Sequence, residues 1–106
     1  MIVEERIYDL NNGCTADYVR LAEKEGIAIQ RPILGNLAGY YTTEIGPLNQ
    51  IVHLWAYEDL EDRARRRAKL MADPEWQKYI PNLRPLVRQM QNKILLPLAF
   101  SPRSFT

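Results

Sequence analysis

The chain has 106 residues, 46% hydrophobic and 25% charged, which suits one globular domain with a real core and is too short for two. Its 14 basic and 13 acidic side chains leave a net charge of +1, far from the basic excess of a protein that neutralises many phosphates, so nucleic acid is not an expected partner. Cys14 is the only cysteine, which excludes an intrachain disulfide and a cysteine-rich metal site.

The opening MIVEERIYD carries charge from its fourth residue and contains no apolar signal segment. No stretch approaches the ~20 apolar residues of a membrane span, so the expected location is the cytoplasm. Residues 2–9 mix β-branched and aromatic residues with charged ones and close on Asn11-Asn12-Gly13, which predicts a strand and a turn. Thr15 is placed to cap a helix with Asp17 in its first turn. Tyr18, Leu21, Ala22, Gly26 and Ile29 follow at helical spacing until Pro32 and Gly35 end the run. LAGYYTTEI (37–45) and QIVHLWAY (50–57) read as two strands joined by the turn residues Gly46-Pro47-Leu48-Asn49. A second helix runs from Asp59 to about Ala72 and is broken or renewed at Asp73-Pro74-Glu75, where proline suits a first helical position. Residues 90–96 form a last short strand, and Ser101-Pro102-Arg103-Ser104 is a polar tail.

The order β-α-β-β-α-β predicts an α+β, ferredoxin-like subunit: a four-stranded antiparallel sheet with both helices on one face, in a single domain over residues 1–106 with a tail from about residue 98. The third strand is apolar on both alternating sets, Ile51, His53, Trp55 and Tyr57 against Val52, Leu54 and Ala56. Two helices cover only one face, so a homodimer whose sheets meet is expected to cover the other.

The basic run DRARRR (62–67) divides by helical angle. With Leu60 at zero and ~100° per residue, Met71, Ala64, Ala68 and Leu70 mark an apolar stripe expected to face the sheet. Asp62, Arg65, Arg66 and Lys69 fall on the polar side, so Arg65 and Arg66 are expected in solvent. Arg67 at about −20° and Arg63 at about −60° lie within or beside the stripe and need acceptors, because an unpaired buried guanidinium is costly. On the first helix Glu25 falls about −20° from Tyr18, which offers a carboxylate on the facing side. Two readings stay open: Glu25 and the arginines form an internal ion-pair network, or the arginines anchor an anionic or carbonyl-bearing small molecule in a polar pocket.

His53, the only histidine, shares a strand face with Trp55; it is either a packed side chain or a catalytic one. No second histidine stands at ligand spacing and the carboxylates lack a metal-cage pattern, so neither metal nor cofactor is expected. A serine nucleophile elbow and a glycine-rich phosphate loop are also absent. Tyr40, Tyr41 and Trp76 read as core or interface aromatics.

RIYDLNNG (6–13), GYYTTEIGPLNQIVHLWAYEDL (39–60) and the spacing of Arg63 and Arg67 resemble the NIPSNAP family almost end to end. The resemblance implies a dimeric α+β barrel, in a superfamily that includes antibiotic-biosynthesis and haem-degrading monooxygenases, muconolactone isomerase-like enzymes and stress-responsive proteins, with pockets typically between helices and sheet. It carries a ligand-binding set onto Arg6, Tyr8, His53, Trp55, Arg63 and Arg67. Haem-degrading relatives share the third-strand tryptophan, here Trp55. They also use a strand-one asparagine and a helix-two histidine, which this chain lacks, so haem degradation is not expected. Three functions compete: small-molecule binding, a cofactor-independent monooxygenase or isomerase in which His53 or Glu25 moves a proton, and a non-catalytic dimeric interaction module.

Overall fold

The structure, a computed structural model, describes residues 1–102; Arg103 and Ser104 of the polar tail lie outside the described residues. Four strands, β1 (Ile2–Leu10), β2 (Asn36–Thr42), β3 (Gln50–Tyr57) and β4 (Val87–Leu95), form one antiparallel sheet in the order β2-β3-β1-β4. Between β1 and β2 run α1 (Thr15–Leu21), a π turn (Ala22–Gly26) and α2 (Ile27–Leu34). Between β3 and β4 run α3 (Leu60–Ala72), α4 (Pro74–Leu83) and a short 3₁₀ turn (Arg84–Leu86). This is the ferredoxin-like arrangement that the element order predicts.

Local chemistry explains the boundaries. Asp59 caps α3 by accepting from the Asp62 N–H at 2.7 Å, and Asp73 caps α4 by accepting from the Trp76 N–H at 3.0 Å with Pro74 behind it. The first helix departs from expectation: Cys14 occupies its N-cap without a side-chain bond, because the Thr15 hydroxyl is drawn instead to Asn49 Oδ1 at 3.1 Å. Pro32 lies inside α2, and the chain turns at Gly35, whose φ of +93° suits glycine. A Cβ there would also meet the Arg66 guanidinium at 2.8 Å.

Helix phase accounts for two more differences. The buried residues of the first helical run, Tyr18, Ala22, Gly26 and Gln30, recur every fourth position. A regular α-helix would rotate such a row away from the sheet, whereas the π turn adds residues per turn and brings it back by some tens of degrees. Glu25 is thereby left exposed, contrary to the inward placement extrapolated at a constant angle. On α3 the expected stripe faces the wrong way: Leu60 is 59% exposed, Ala64, Ala68 and Met71 are also exposed, and the side toward the sheet is Arg63, Arg67 and Leu70. The facing direction is thus rotated by roughly 50° from Leu60. Arginine stems supply the apolar cover that leucines would otherwise give.

The helices cover the sheet face made by Ile2, Glu4, Arg6, Tyr8 and Leu10 of β1 and Ile51, His53, Trp55 and Tyr57 of β3, which stand cross-strand to one another. Tyr18, Leu34, Leu70, Trp76, Tyr79 and Leu83 close the core from above. Val3, Ile7, Val52 and Leu54 point to the other face and are only half-buried.

Candidate functional site

Strand alternation places two charges, Glu4 and Arg6, among the apolar core positions of β1. Glu4 is fully buried, and one of its oxygens, Oε2, accepts three hydrogen bonds: from Arg63 Nη2 at 2.8 Å, Asn92 Nδ2 at 2.7 Å and Arg6 Nη1 at 3.1 Å. Burial alone would raise its pKa. The bonds from Arg63 and Asn92 and the charge of Arg6 outweigh burial and hold the carboxyl at about 2, so it is ionised. Glu4, not Glu25, is therefore the acceptor that Arg63 requires.

Arg6 extends along the strand to donate from Nε to the Tyr8 hydroxyl at 3.0 Å, and its guanidinium lies 5.6 Å from the centre of the Tyr8 ring. His53 stands beside this pair, 1% exposed, stacked on Tyr40 with centroids 4.5 Å apart and edge-on to Tyr8 at 4.8 Å. Tyr40 in turn shares a 2.6 Å hydrogen bond with the Tyr18 hydroxyl. Trp55 Nε1 donates to His53 Nδ1 at 2.8 Å. An indole nitrogen only donates, so Nδ1 is the bare nitrogen and Nε2 carries the hydrogen. That Nε2–H is buried and has no partner among the described residues. Burial and the positive charge of Arg6, with a smaller push from Arg67, lower the imidazole pKa to about 3 and keep the ring neutral.

Arg6, Tyr8, His53, Trp55 and Arg67 line one cavity of about 180 Å³ between helices and sheet, with Gln30 at one wall and Leu34, Leu70, Trp76 and Ile80 forming apolar sides. Five of the six residues named from the sequence thus converge. Arg63 does not line the cavity; it is committed to Glu4. Arg67 makes no hydrogen bond or ion pair among the described residues, although burial and the charge of Arg6 pull its pKa down. Three guanidinium groups, Arg6, Arg63 and Arg67, consequently surround a single carboxylate, and the cavity carries a surplus of donors and positive charge.

The other arginines divide differently from expectation. Arg65 stays largely in solvent beside Asp62, but Arg66 bonds Asp62 Oδ1 at 2.9 Å and the Ile33 carbonyl at 3.1 Å, joining α3 to the end of α2. Among the described residues no group of three or more His, Cys, Asp or Glu could hold a metal ion. Neither proton acceptor considered from the sequence stands ready in the cavity: Glu25 is exposed on the π turn, and His53 presents an N–H.

The NIPSNAP family model matches residues 3–102. The chain belongs to the NIPSNAP family. It is 32% identical over 95% of its length to human protein NipSnap homolog 2, covering 35% of that protein, and 35% identical over 61% to protein NipSnap of Drosophila melanogaster, covering 23%. The chain therefore spans about a third or less of the length of the curated relatives it matches. Among solved structures, an uncharacterized NIPSNAP-like domain protein from Burkholderia xenovorans is 65% identical with a TM-score of 0.94, over 96% of this chain and 89% of that one. A NIPSNAP family protein from Agrobacterium tumefaciens is 55% identical with a TM-score of 0.93, over 95% and 96%. An antibiotic biosynthesis monooxygenase structure superposes with a TM-score of 0.65 at 10% identity, over 92% and 99%, which shows a common fold alone.

Proposed function

We propose that this NIPSNAP domain binds a small anionic or carbonyl-bearing molecule in the cavity between helices and sheet. The observation that carries the reading is Arg67, a partly buried guanidinium without an acceptor, lining the same small cavity as the unpartnered Nε2–H of His53. An interaction module whose arginines only satisfied internal carboxylates would leave neither group open. A cofactor-free isomerase or monooxygenase would draw on the same donors but would need a base other than His53 or Glu25. The test is a thermal-shift screen with acetate, benzoate and other small carboxylates. At a hundredfold excess over Kd, binding adds about 2.7 kcal/mol, a rise on the order of 10 °C for a domain this small. Wild type should show that saturable rise and Arg67→Ala should not; equal shifts in both would remove the anchor.

The second part of the reading is a homodimer, closed over the sheet face that the helices leave open. Val3, Ile7, Val52 and Leu54 are half-buried there, while Leu96, Leu98 and Phe100 beyond β4 are exposed at the border of the same face. Sedimentation equilibrium should give twice the chain mass for wild type and the chain mass for Leu54→Glu; an unchanged mass in the variant would overturn it. Among the described residues no helix is long and apolar enough to cross a membrane, and a cytoplasmic location belongs to the same proposal.

A further inference from the structure

Two of the donors that line the cavity are unpartnered among the described residues and differ in kind. Arg67 presents a charged fork suited to a carboxylate. His53 presents one neutral N–H, fixed in direction because Trp55 holds Nδ1, Tyr40 stacks on one ring face and Tyr8 makes an edge contact. A lone N–H of this kind suits a second, uncharged oxygen close to the carboxylate. No carboxylate lines the cavity to receive an ammonium group; Glu4 lies outside its lining, where Oε2 accepts from three donors and Oε1 is buried without a partner among the described residues. An ammonium would instead sit among the charges of Arg6 and Arg67. Gln30 and Arg84 also line the cavity, Leu34, Leu70, Trp76 and Ile80 give it an apolar side, and about 180 Å³ is below the ~300 Å³ at which drug-sized sites begin, which leaves room for a chain of about four to six carbons.

The geometry points to a short-chain 2-oxo acid as the occupant, with Arg67 on the carboxylate, His53 Nε2–H on the oxo oxygen and the alkyl tail against Leu34, Leu70 and Trp76. This rests on the binding reading above and adds to it a discrimination. The simple carboxylate lacks the oxygen that His53 addresses, and the corresponding amino acid replaces that oxygen with a positive charge.

Calorimetric titration of the full chain with 4-methyl-2-oxopentanoate, 4-methylpentanoate and leucine tests it. The quenching of Trp55 and Trp76 fluorescence gives an independent readout, because both line the cavity. The 2-oxo acid should bind roughly tenfold tighter than the plain acid, the worth of one buried hydrogen bond, and leucine should not bind. His53→Phe should abolish the ratio of affinities between the 2-oxo acid and the plain acid, whatever it does to either alone, and His53→Gln, which can both accept from Trp55 and donate, should restore that ratio. Should His53→Phe fail to fold, the ranking of the three ligands on wild type and His53→Gln decides. Equal affinity for the two acids, or binding of leucine at their level, overturns the 2-oxo assignment and leaves the anion pocket standing. No binding of either acid overturns both.

Discussion

Glu4→Ala should lower the free energy of unfolding by about 3–5 kcal/mol, as much as truncating a fully buried core aromatic. The reason is asymmetry. Three donors from three places in the chain, Arg6 on the same strand, Arg63 on α3 and Asn92 on β4, meet at one oxygen of Glu4. Removing the carboxylate takes the acceptor from the half-buried guanidinium groups of Arg6 and Arg63, and it leaves Arg6, Arg63 and Arg67 to repel one another. Urea denaturation at fixed protein concentration, followed by tryptophan fluorescence, measures the loss. A double-mutant cycle with Arg63→Ala should return a coupling of at least 1 kcal/mol. A loss below about 1 kcal/mol for Glu4→Ala would mean that the arginines find water or other acceptors, and the central role of Glu4 would fall.

The domain should also lose stability in mild acid, before its carboxylates titrate. His53 is neutral in the fold down to about pH 3, whereas in the unfolded chain it takes up a proton near pH 6.5. Between those values the unfolded state holds one more proton, so stability falls as pH falls, by about 2 kcal/mol from pH 6.5 to pH 5. Glu4 acts in the same direction over a lower window: its folded pKa of about 2 lies below the ordinary carboxylate value near 4.5, so its contribution is present above that value and is lost on the way down to 2. His53 is the only histidine, which separates the two arms. Unfolding free energies at pH 7, 6 and 5 should decline in wild type and stay nearly level in His53→Gln, with the two proteins running parallel only below about pH 3. Parallel slopes from pH 7 to pH 5 would show that His53 is not what responds.

Much of this was legible in the residues. Strand boundaries followed from the 50–57 run and the turn residues before it, and the two Asp caps followed from Asp59 and Asp73-Pro74. Arg63 and Arg67 were recognised as inward-facing because helical angle is local information. The identity of their acceptor is not local. Glu4 carried one usable signal, an acidic residue two positions before Arg6 on a strand whose even positions are otherwise apolar. Asn92 carried none, because its meeting with Glu4 depends on β4 pairing at the sheet edge. The sheet face of His53 was likewise undecidable while both sets of third-strand residues were apolar; it is settled by the helices, whose inner residues meet the odd-numbered set. Arg66 was assigned to solvent because its angle says nothing of the Ile33 carbonyl that another helix brings beside it. Glu25 departs from its expected place for a different reason: five residues, Ala22–Gly26, do not keep the constant helical angle.

Those five residues set an alignment as well as a shape. Because the turn absorbs extra chain without advancing the phase, Tyr18, Ala22, Gly26 and Gln30 stay in one file on the buried side. The file joins the Tyr18–Tyr40 hydroxyl pair at one end to the cavity at the other. The identity of the side chain at the cavity wall, Gln30 rather than the exposed Arg31 beside it, is thus decided at Ala22–Gly26, one turn earlier in the chain, by residues that do not line the cavity themselves.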